Sequence, residues 1–285
     1  MLGMAFNSTN TTRPNPPTRT SATAVPHRFN RYEIKYLVAE KDLPRLREEF
    51  ADYLDRDPME PPAGYRVESL YYDSQDLRFY WEKIEGLKFR RKLRVRRYGE
   101  GETTAQSPVT VEIKQRMNRV TQKRRLELPL AQALSLCDAS GSSTGTRLRA
   151  EDLYPVAEPR HHGLLSEIET LVDTCDLRPI AMTAYRREPY VGRDLEDGVR
   201  VTFDHAVTGR DRDLRLGMPD TTNRPLVPND CVVMEIKADE RVPLWLTDVT
   251  ARCGLTVIRM SKYCRAIDQY DVMPASAAGA VDRIL

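Results

Sequence analysis

The most regular pattern along the chain is an alternation of charged and apolar side chains between Lys88 and Arg97. Phe89, Leu93 and Val95 lie on one side of it, and a cation stands at every even position: Lys88, Arg90, Lys92, Arg94 and Arg96. Same-face neighbours in a strand are about 6.6 to 6.8 Å apart, so each pair repels by roughly 2.5 kcal/mol at an effective dielectric of about 20. The pattern predicts a strand whose cationic face meets a polyanion or interleaved carboxylates, or else faces solvent.

A second pattern, glutamate then any residue then lysine, occurs in RYEIKY, TVEIKQ and VMEIKA. It pairs Glu33 with Lys35, Glu112 with Lys114 and Glu235 with Lys237. The period of two places each carboxylate and its lysine on one face of a strand and the intervening isoleucine on the other. One such triplet is commonplace on a surface strand. Three of them predict a shared polar lining.

The remaining alternation and turn residues predict eight strands. These are 31–38, 65–72, 87–98, 109–117, 120–128, 180–191, 199–207 and 231–238. Apolar residues at three-to-four spacing predict helices between them, over 40–54, 75–84, 130–136, 164–175, 244–253 and 262–270. The predicted fold is α+β: a closed eight-stranded antiparallel β-barrel with helices packed outside.

Composition narrows the class of protein. The chain has 285 residues, 40% apolar, with 44 Lys and Arg against 42 Asp and Glu. A net charge of +2 argues against bulk nucleic-acid binding and makes the local segregation of charge the informative feature. Five scattered cysteines without metal-type spacing are typical of reduced thiols, which favours a cytoplasmic location.

One domain accounts for most of the chain. Residues 1–26 are rich in Ser, Thr, Asn and Pro and are predicted to be a disordered arm. Residues 27–275 form the predicted domain, with a flexible polar loop near 138–146, and 276–285 form a tail. Because no stretch reaches the roughly 18 to 20 apolar residues of a membrane helix, we expect no direct membrane insertion.

A barrel of about eight strands is just wide enough inside for side chains or one small ligand, and here its lining would be charged. The parity of the triplets adds Lys35, Lys114 and Lys237 to this lining. Lys123 and Arg125 join it if the following strand keeps its polar face inward, and Arg187 and Arg200 lie on faces consistent with it. Buried like charges need partners or a bound anion, so we predict a tunnel that holds phosphates. Glu33, Glu112 and Glu235 would offset some cations and offer oxygens to a divalent metal, for which Mg²⁺ or Mn²⁺ suits the donor type.

In order and spacing, several segments resemble the VTC domain of polyphosphate polymerases, within the triphosphate tunnel metalloenzyme group. They run from about residue 31 to 270: RYEIKY, SLYYDS, KLRVRRYG, VEIKQR, YRREPY, RVTFD, MEIK and SKY. The resemblance implies a tunnel enzyme that moves the terminal phosphate of a nucleoside triphosphate such as ATP onto a growing inorganic polyphosphate chain.

The resemblance also implies roles for individual residues. The catalytic, phosphate-binding cations of the family match Lys35, Arg94, Arg96, Lys114, Arg187, Arg200 and Lys262. Arg259 and Ser261 stand where the family has another lysine and a serine, and the metal-binding glutamate matches Glu235. Glu112, proposed as a second metal carboxylate, comes from the residue pattern alone. The wider phosphate-binding lining holds Lys88, Arg90, Lys92, Lys123, Arg125 and Lys237.

Two alternatives remain open. The same tunnel would serve a tripolyphosphate or nucleoside triphosphate hydrolase or a cyclase, and a noncatalytic polyphosphate binder would need no metal. Nucleic acid is disfavoured because the cationic face lacks interleaved aromatic residues on which bases stack. Members of the family are often fused to a phosphate-sensing module and membrane helices, and since neither is recognised in this sequence, a separate membrane protein is an expected partner.

Overall fold

The structure, a computed structural model, describes residues 31–118, 120–141, 147–196, 198–219 and 221–270. The predicted arm at 1–26, the tail at 276–285 and the larger part of the predicted loop, 142–146, lie outside the described residues.

All eight predicted strands are present, with ends that differ by a few residues, and two short strands join them. The strands are β1 (Arg31–Ala39), β2 (Leu54–Arg56), β3 (Tyr65–Asp73), β4 (Phe89–Tyr98), β5 (Pro108–Met117), β6 (Val120–Pro129), β7 (Arg178–Gly192), β8 (Val199–Arg210), β9 (Arg224–Pro225) and β10 (Cys231–Asp239). Every pairing is antiparallel. The antiparallel part of the fold prediction is therefore confirmed.

The helices are α1 (Leu43–Phe50), α2 (Arg78–Ile84), α3 (Leu130–Cys137), α4 (Ala150–Leu153), α5 (His162–Cys175), α6 (Leu244–Arg252) and α7 (Lys262–Gln269). Short 3₁₀ helices cover Glu40–Asp42, Pro159–His161 and Asp194–Glu196. The helix predicted over 40–54 ends early, because Leu54 begins β2 and pairs with Gly192 of β7. In the described ranges, no helix combines the length and the apolar content that a membrane crossing requires.

The sheet is not closed, so the prediction of a closed barrel is wrong. Its long strands follow the order β1-β10-β8-β7-β3-β4-β5-β6, and within the described residues β1 and β6 form its two edges. Part of the free edge of β1 is taken by another segment, since Tyr36 bridges to Val257 and the Ile258 amide donates to the Lys35 carbonyl at 2.8 Å. The first half of β6 is polar and largely exposed, so closing the sheet there would bury little apolar surface to stabilise the extra pairing.

Two apolar clusters cover the convex face of the sheet. One places Leu93, Val95 and Ile113 under α3 and α5, and the other places Val201 and Ile236 under α1 and α6. Each is at most 1% exposed, and full burial of such a side chain contributes about 1.5 to 3 kcal/mol. The apolar positions of the alternating strands therefore decide which face the helices cover.

Phe89 is exposed, although Leu93 and Val95, on the same side of the strand, lie in the core. It is 40% exposed, whereas Leu93 and Val95 are fully buried. Phe89 is the first residue of β4 and lies outside the cluster beneath α3 and α5. Phe89 shares the face of Leu93 and Val95 but stays exposed, because the strand extends past the helices that cover it.

Helix α7 departs from the prediction that the helices pack outside. Tyr263 and Ile267 of α7 join a cluster with Tyr71 of β3 and Val233 of β10. These two strand residues share parity with Ser69 and Glu235, on the concave face opposite the one that α1, α3, α5 and α6 cover. The amphipathic α7 thus fills one end of the trough formed by the curved sheet, because its apolar side can bury only against the apolar end of that face.

Candidate functional site

Strand register places the predicted lining residues on one face of the sheet. Lys35 lies opposite Glu235, and Lys237 lies opposite Arg200. The same parity continues through β7, β3, β4, β5 and β6. The cations on this face are Lys35, Arg90, Lys92, Arg94, Arg96, Lys114, Arg116, Lys123, Arg125, Arg187, Arg200 and Lys237.

This face is concave. Glu33 on β1 lies 3.4 Å from Lys114 on β5, although five strands separate β1 from β5 in the sheet order. The sheet must therefore curl until side chains from distant strands meet. An open but strongly curved sheet produces the convergence that a closed barrel was predicted to produce.

The first group of charges lies along β1 and β10. Lys35 contacts the carboxylates of Glu33 and, at 3.2 Å, Glu235, while Lys237 contacts Glu235 at 2.7 Å. Burial and the charge of Glu235 act to raise the pKa of Glu33, but Lys114 and Lys35 lower it to about 2. Burial likewise opposes ionisation of Glu235, and Lys237 and Lys35 still hold its pKa well below the usual value. Both carboxylates are therefore ionised.

The second group centres on Asp204 of β8, which is fully buried. Arg187 donates from Nε and Nη2 to its two oxygens at 2.7 and 2.8 Å, and Lys262 of α7 donates at 2.6 Å. Both cations also lie near the ring of Tyr185. Burial raises the pKa of Asp204, but Arg187 and Lys262 lower it to about 2. One carboxylate thus orients two predicted phosphate-binding cations.

The third group joins β3, β4, β5 and β6. Arg94 contacts the buried carboxylate of Glu112, which Lys123 also approaches at 2.5 Å. Arg94 donates to the Tyr71 hydroxyl at 3.3 Å, and Arg96 donates to the Ser69 hydroxyl at 2.9 Å. Burial raises the pKa of Glu112, and Arg94 and Lys123 lower it to about 2.

Tyr71 is the most strongly perturbed tyrosine of this group. Burial raises the pKa of its phenol, but Arg94, Arg96 and Lys92 outweigh that effect and lower the pKa to about 7. Its ring stacks on Tyr263 with centroids 5.1 Å apart. The surrounding cations thus make this buried phenol more acidic than an ordinary tyrosine.

The start of α7 packs against the concave face beside these groups. Ser261 caps the helix, and its hydroxyl accepts from the Lys92 ammonium at 2.6 Å. Tyr263 donates to the buried carboxylate of Asp73, which also accepts from the backbone amides of Phe79 and Tyr80. The serine, lysine and tyrosine of the SKY segment therefore face three different partners.

The other predicted residues lie at the margins. Arg200 forms an ion pair with Asp57 at 2.9 Å. Arg90 is half-buried, while Arg125 and Arg259 are exposed. Lys88 is also exposed and precedes β4, so the predicted row of five cations in one strand has four members within it. The roles of all these residues in binding phosphate stay predictions.

The donors of the trough suit a divalent metal only with help from a substrate. In the described part of the chain, His, Cys, Asp and Glu side chains do not gather in threes at metal-binding distance. Glu33 and Glu235, however, both contact the Lys35 ammonium, so two carboxylates already converge on one positive charge. Mg²⁺ typically uses one or two carboxylates together with phosphate and water oxygens, and this pair fits that pattern. Glu112 lies apart from that pair, between Arg94 and Lys123.

Sequence reasoning missed Asp204, Tyr71 and Ser69 as members of the lining. Asp204 shares parity with Arg200, so the period of two already placed it on the polar face. Ser69 and Tyr71 share a face with each other, but no sequence signal pairs them with Arg96 and Arg94, because that register is a property of the folded sheet.

Comparison with known proteins identifies a family whose domain covers almost all of the described residues. The family model of the VTC domain matches residues 30–270. Two proteins named vacuolar transporter chaperone complex subunit 4 are similar to this chain, from Trypanosoma cruzi (strain CL Brener) at 24% identity and from Trypanosoma brucei brucei at 23%, each over 271 residues. Each match covers 84% of this chain and 34% of the relative. The chain thus spans about a third of the length of these relatives.

Among solved structures, a candidate adenylate cyclase from Vibrio parahaemolyticus has a TM-score of 0.38 and 8% identity with this chain. The match covers 81% of this chain and 94% of that one. A likeness of this strength supports no statement about fold or activity.

Proposed function

This chain belongs to the VTC domain family, and on that premise we propose that it is a polyphosphate polymerase. It transfers the terminal phosphate of ATP or another nucleoside triphosphate to inorganic polyphosphate and releases the nucleoside diphosphate. The proposal goes beyond the family assignment in naming the donor, the acceptor and the direction of the reaction.

The observation that carries the proposal is the excess of cations on the concave face. Seven strands contribute lysine or arginine side chains to that face, and Lys262 of α7 adds another. Buried carboxylates hold several of them in place but do not match them in number. A long polyanion supplies the negative charge that such a surface lacks.

The cations would bind two anions and align them. Phosphoryl transfer needs in-line positioning and neutralisation of charge that spreads over the transferred group, with little covalent help from the protein. Arg94, Arg96 and Arg187 offer planar guanidinium groups that bind phosphate oxygens in pairs, whereas lysines act as point charges. We assign the arginines and Lys114 to the reacting phosphates and lysines such as Lys123 to the product chain.

The attacking group would be the terminal phosphate of the acceptor chain. It is already anionic, so the protein needs no dedicated general base. The site must hold two anions together against their repulsion, and the cations of β4, β7 and α7 would supply the positive charge to do so.

A divalent cation would add to this charge neutralisation. Glu235 and Glu33 are the residues we propose to hold it, with Glu112 as a further candidate, and Mn²⁺ or Mg²⁺ as the ion. When bound, the ion supplies a Lewis acid that neutralises charge on phosphate oxygens. Lys35, which now bridges Glu33 and Glu235, would then be released to contact the substrate.

We also propose that the protein acts in the cytoplasm with a membrane-protein partner. The two relatives are named as subunits of a vacuolar transporter chaperone complex. A partner of this kind would receive the product chain.

The test is to incubate the purified chain with ATP and Mn²⁺ and separate the products on a polyacrylamide gel. A ladder of long polyphosphate that disappears on treatment with a polyphosphatase is the expected result. Release of free phosphate without a ladder would contradict the polymerase and indicate hydrolysis in the same trough. Binding of polyphosphate without turnover and without any metal dependence would indicate a noncatalytic binder.

A further inference from the structure

A buried hydroxyl without a partner lies on the concave face of β8. Thr202 belongs to the RVTFD segment and shares this face with Arg200 and Asp204. It is 1% exposed, and its Oγ1 makes no hydrogen bond to any residue that the structure describes. Burying an unpaired hydroxyl is costly, and valine would suit a strand interior equally well without that cost. The hydroxyl is therefore better explained by the site than by packing.

Strand register places Thr202 beside the proposed metal ligand. Thr202 lies opposite Glu235 of β10 on one side and opposite Pro189 of β7 on the other. Directly opposed side chains on one face of an antiparallel pair have Cβ atoms about 4.5 to 5.5 Å apart, so a hydroxyl and a carboxylate there can form a hydrogen bond. The side chain of Pro189 has no polar atom. Glu235 is thus the cross-strand neighbour to which the Thr202 hydroxyl can donate.

Lysines contact both oxygens of Glu235. Lys237 lies 2.7 Å from Oε1 and Lys35 lies 3.2 Å from Oε2. Both ammonium groups would be repelled by a divalent cation on Glu235, and Lys35 has a second carboxylate contact in Glu33. Carboxylates that bind a metal are themselves hydrogen-bonded, and these partners fix their orientation. The Thr202 hydroxyl is a neutral donor, so it can replace a lysine at Glu235 without opposing the charge of the metal.

We propose that Thr202 is a positioning residue for Glu235: its hydroxyl donates to the carboxylate and fixes its orientation when Glu235 binds a divalent cation. The inference rests on the proposed metal role of Glu235 and deepens it. It accounts for a hydroxyl that is buried, faces the site and has no partner while lysines occupy the carboxylate. Serine would serve the same purpose at this position, whereas valine would not.

Binding of imidotriphosphate, a tripolyphosphate analogue that resists hydrolysis, tests the proposal on the full chain. Calorimetry with and without Mn²⁺ gives the factor by which the metal raises the affinity. We expect Thr202→Val to lower this factor about tenfold or more, as is usual when a metal ligand loses its hydrogen-bond partner. The affinity without Mn²⁺ should be unchanged, and Thr202→Ser should retain the full factor. Without metal, Thr202→Val should unfold at the same temperature as the unmodified chain or a higher one, because the unpaired hydroxyl is gone.

Thr183→Val is the matched control. Thr183 of β7 is also fully buried, and its hydroxyl likewise has no hydrogen-bond partner among the described residues. It lies opposite Ser69 and Gly209 on its two sides. Gly209 follows Thr202 by seven residues on β8, which separates the two hydroxyls by roughly 20 Å. Thr183→Val should resemble Thr202→Val in thermal stability but keep the full effect of Mn²⁺.

The outcomes separate this inference from the proposals on which it rests. If Glu235→Gln lowers the Mn²⁺ factor and Thr202→Val does not, the inference fails and the metal role of Glu235 stands. If Mn²⁺ leaves the affinity of the unmodified chain unchanged, both fail. A loss of affinity in Thr202→Val without Mn²⁺ would place the hydroxyl on a phosphate oxygen and would also overturn the inference. None of these measurements requires polymer synthesis, which the gel assay tests separately.

Discussion

Arg187 and Asp204 form a two-point ion pair across β7 and β8, with N–O distances of 2.7 and 2.8 Å, and Lys262 shares the same carboxylate. The aspartate is fully buried while the arginine keeps a small exposed fraction, 13% of its side chain. The carboxylate therefore serves as a fixed counter-charge beneath two cations whose outer sides can meet a ligand.

Replacing Asp204 by Asn should lower the free energy of unfolding, and a bound anion should restore part of that stability. Removing one partner of a buried pair typically costs about 3 to 5 kcal/mol, because the remaining charges are left uncompensated. We expect the free energy of unfolding in urea to fall by about that amount. Tripolyphosphate should then raise the urea midpoint of unfolding more in Asp204→Asn than in the unmodified chain. Asp76→Asn, at an exposed position, is the control, and equal stability of Asp204→Asn would contradict the assignment.

Lys114→Ala should remove turnover while the chain stays folded. Lys114 is 37% exposed, and its one ion-pair partner among the described residues is Glu33 at 3.4 Å, so its loss disturbs little packing. Loss of one preorganised electrostatic contact to a reacting phosphate costs about 10² to 10³ in rate. Steady-state polymer synthesis measures the loss, with Arg160→Ala as an exposed cation control. Full activity in Lys114→Ala would remove this residue from the site.

Arg94→Ala is expected to lose at least as much activity, because Arg94 lies deeper, between Glu112 and Tyr71. Its removal also leaves the buried Glu112 with Lys123 as its contact, so a stability loss accompanies it. Arg94→Lys separates the two effects. It retains the charge and the fold but lacks the guanidinium fork, and turnover between that of the unmodified chain and that of Arg94→Ala is expected by the same gel assay.

Glu235→Gln should raise the concentration of Mn²⁺ needed for half-maximal turnover at least about tenfold, a size typical of a weakened metal site. Nucleotide binding without metal, measured by calorimetry, should be retained because the neighbouring cations remain. Glu127→Gln is a suitable control, since Glu127 is exposed and shares the concave face on β6. An unchanged metal titration in Glu235→Gln would discard its role as a ligand.

Tyr71→Phe should remove a pH dependence of stability. The cations near Tyr71 outweigh its burial and lower its pKa from 10.0 to about 7 in the folded state. A lowered pKa contributes stability that is complete above the unfolded value and is lost as the pH falls through the folded value. The unmodified chain should therefore gain on the order of 1 kcal/mol per pH unit over Tyr71→Phe as the pH rises between those two values. Urea unfolding of both proteins across this range measures the difference, and parallel curves would contradict it.

The strands and their faces could be predicted from the sequence because both follow from a local rule. Alternation with a period of two fixes which side chains share a face, and it correctly separated Glu33 and Lys35 from Ile34, and Arg94 from Val95. The same rule places Phe89 on the face of Leu93 and Val95, where it lies, yet Phe89 is exposed and they are buried. Parity assigns a face, but it cannot reveal that the covering helices stop before the end of the strand.

The pairings within the trough were decided by tertiary structure. That Glu235 meets Lys35 and Lys237, that Asp204 binds Arg187 and Lys262, and that Arg94 reaches Glu112 all depend on strand order and register. These are contacts between residues far apart in the chain, and a local pattern carries no information about which distant strands become neighbours.

The sequence by itself therefore determined eight antiparallel strands with one cationic face, because alternation is a property of neighbouring residues. Only the tertiary structure decided that the sheet remains open between β1 and β6 and that α7 enters the trough on the side of Tyr71. The physical reason is that edge closure and helix docking depend on how much apolar surface each arrangement buries. That quantity is set by the sum of all packed elements and not by any one segment.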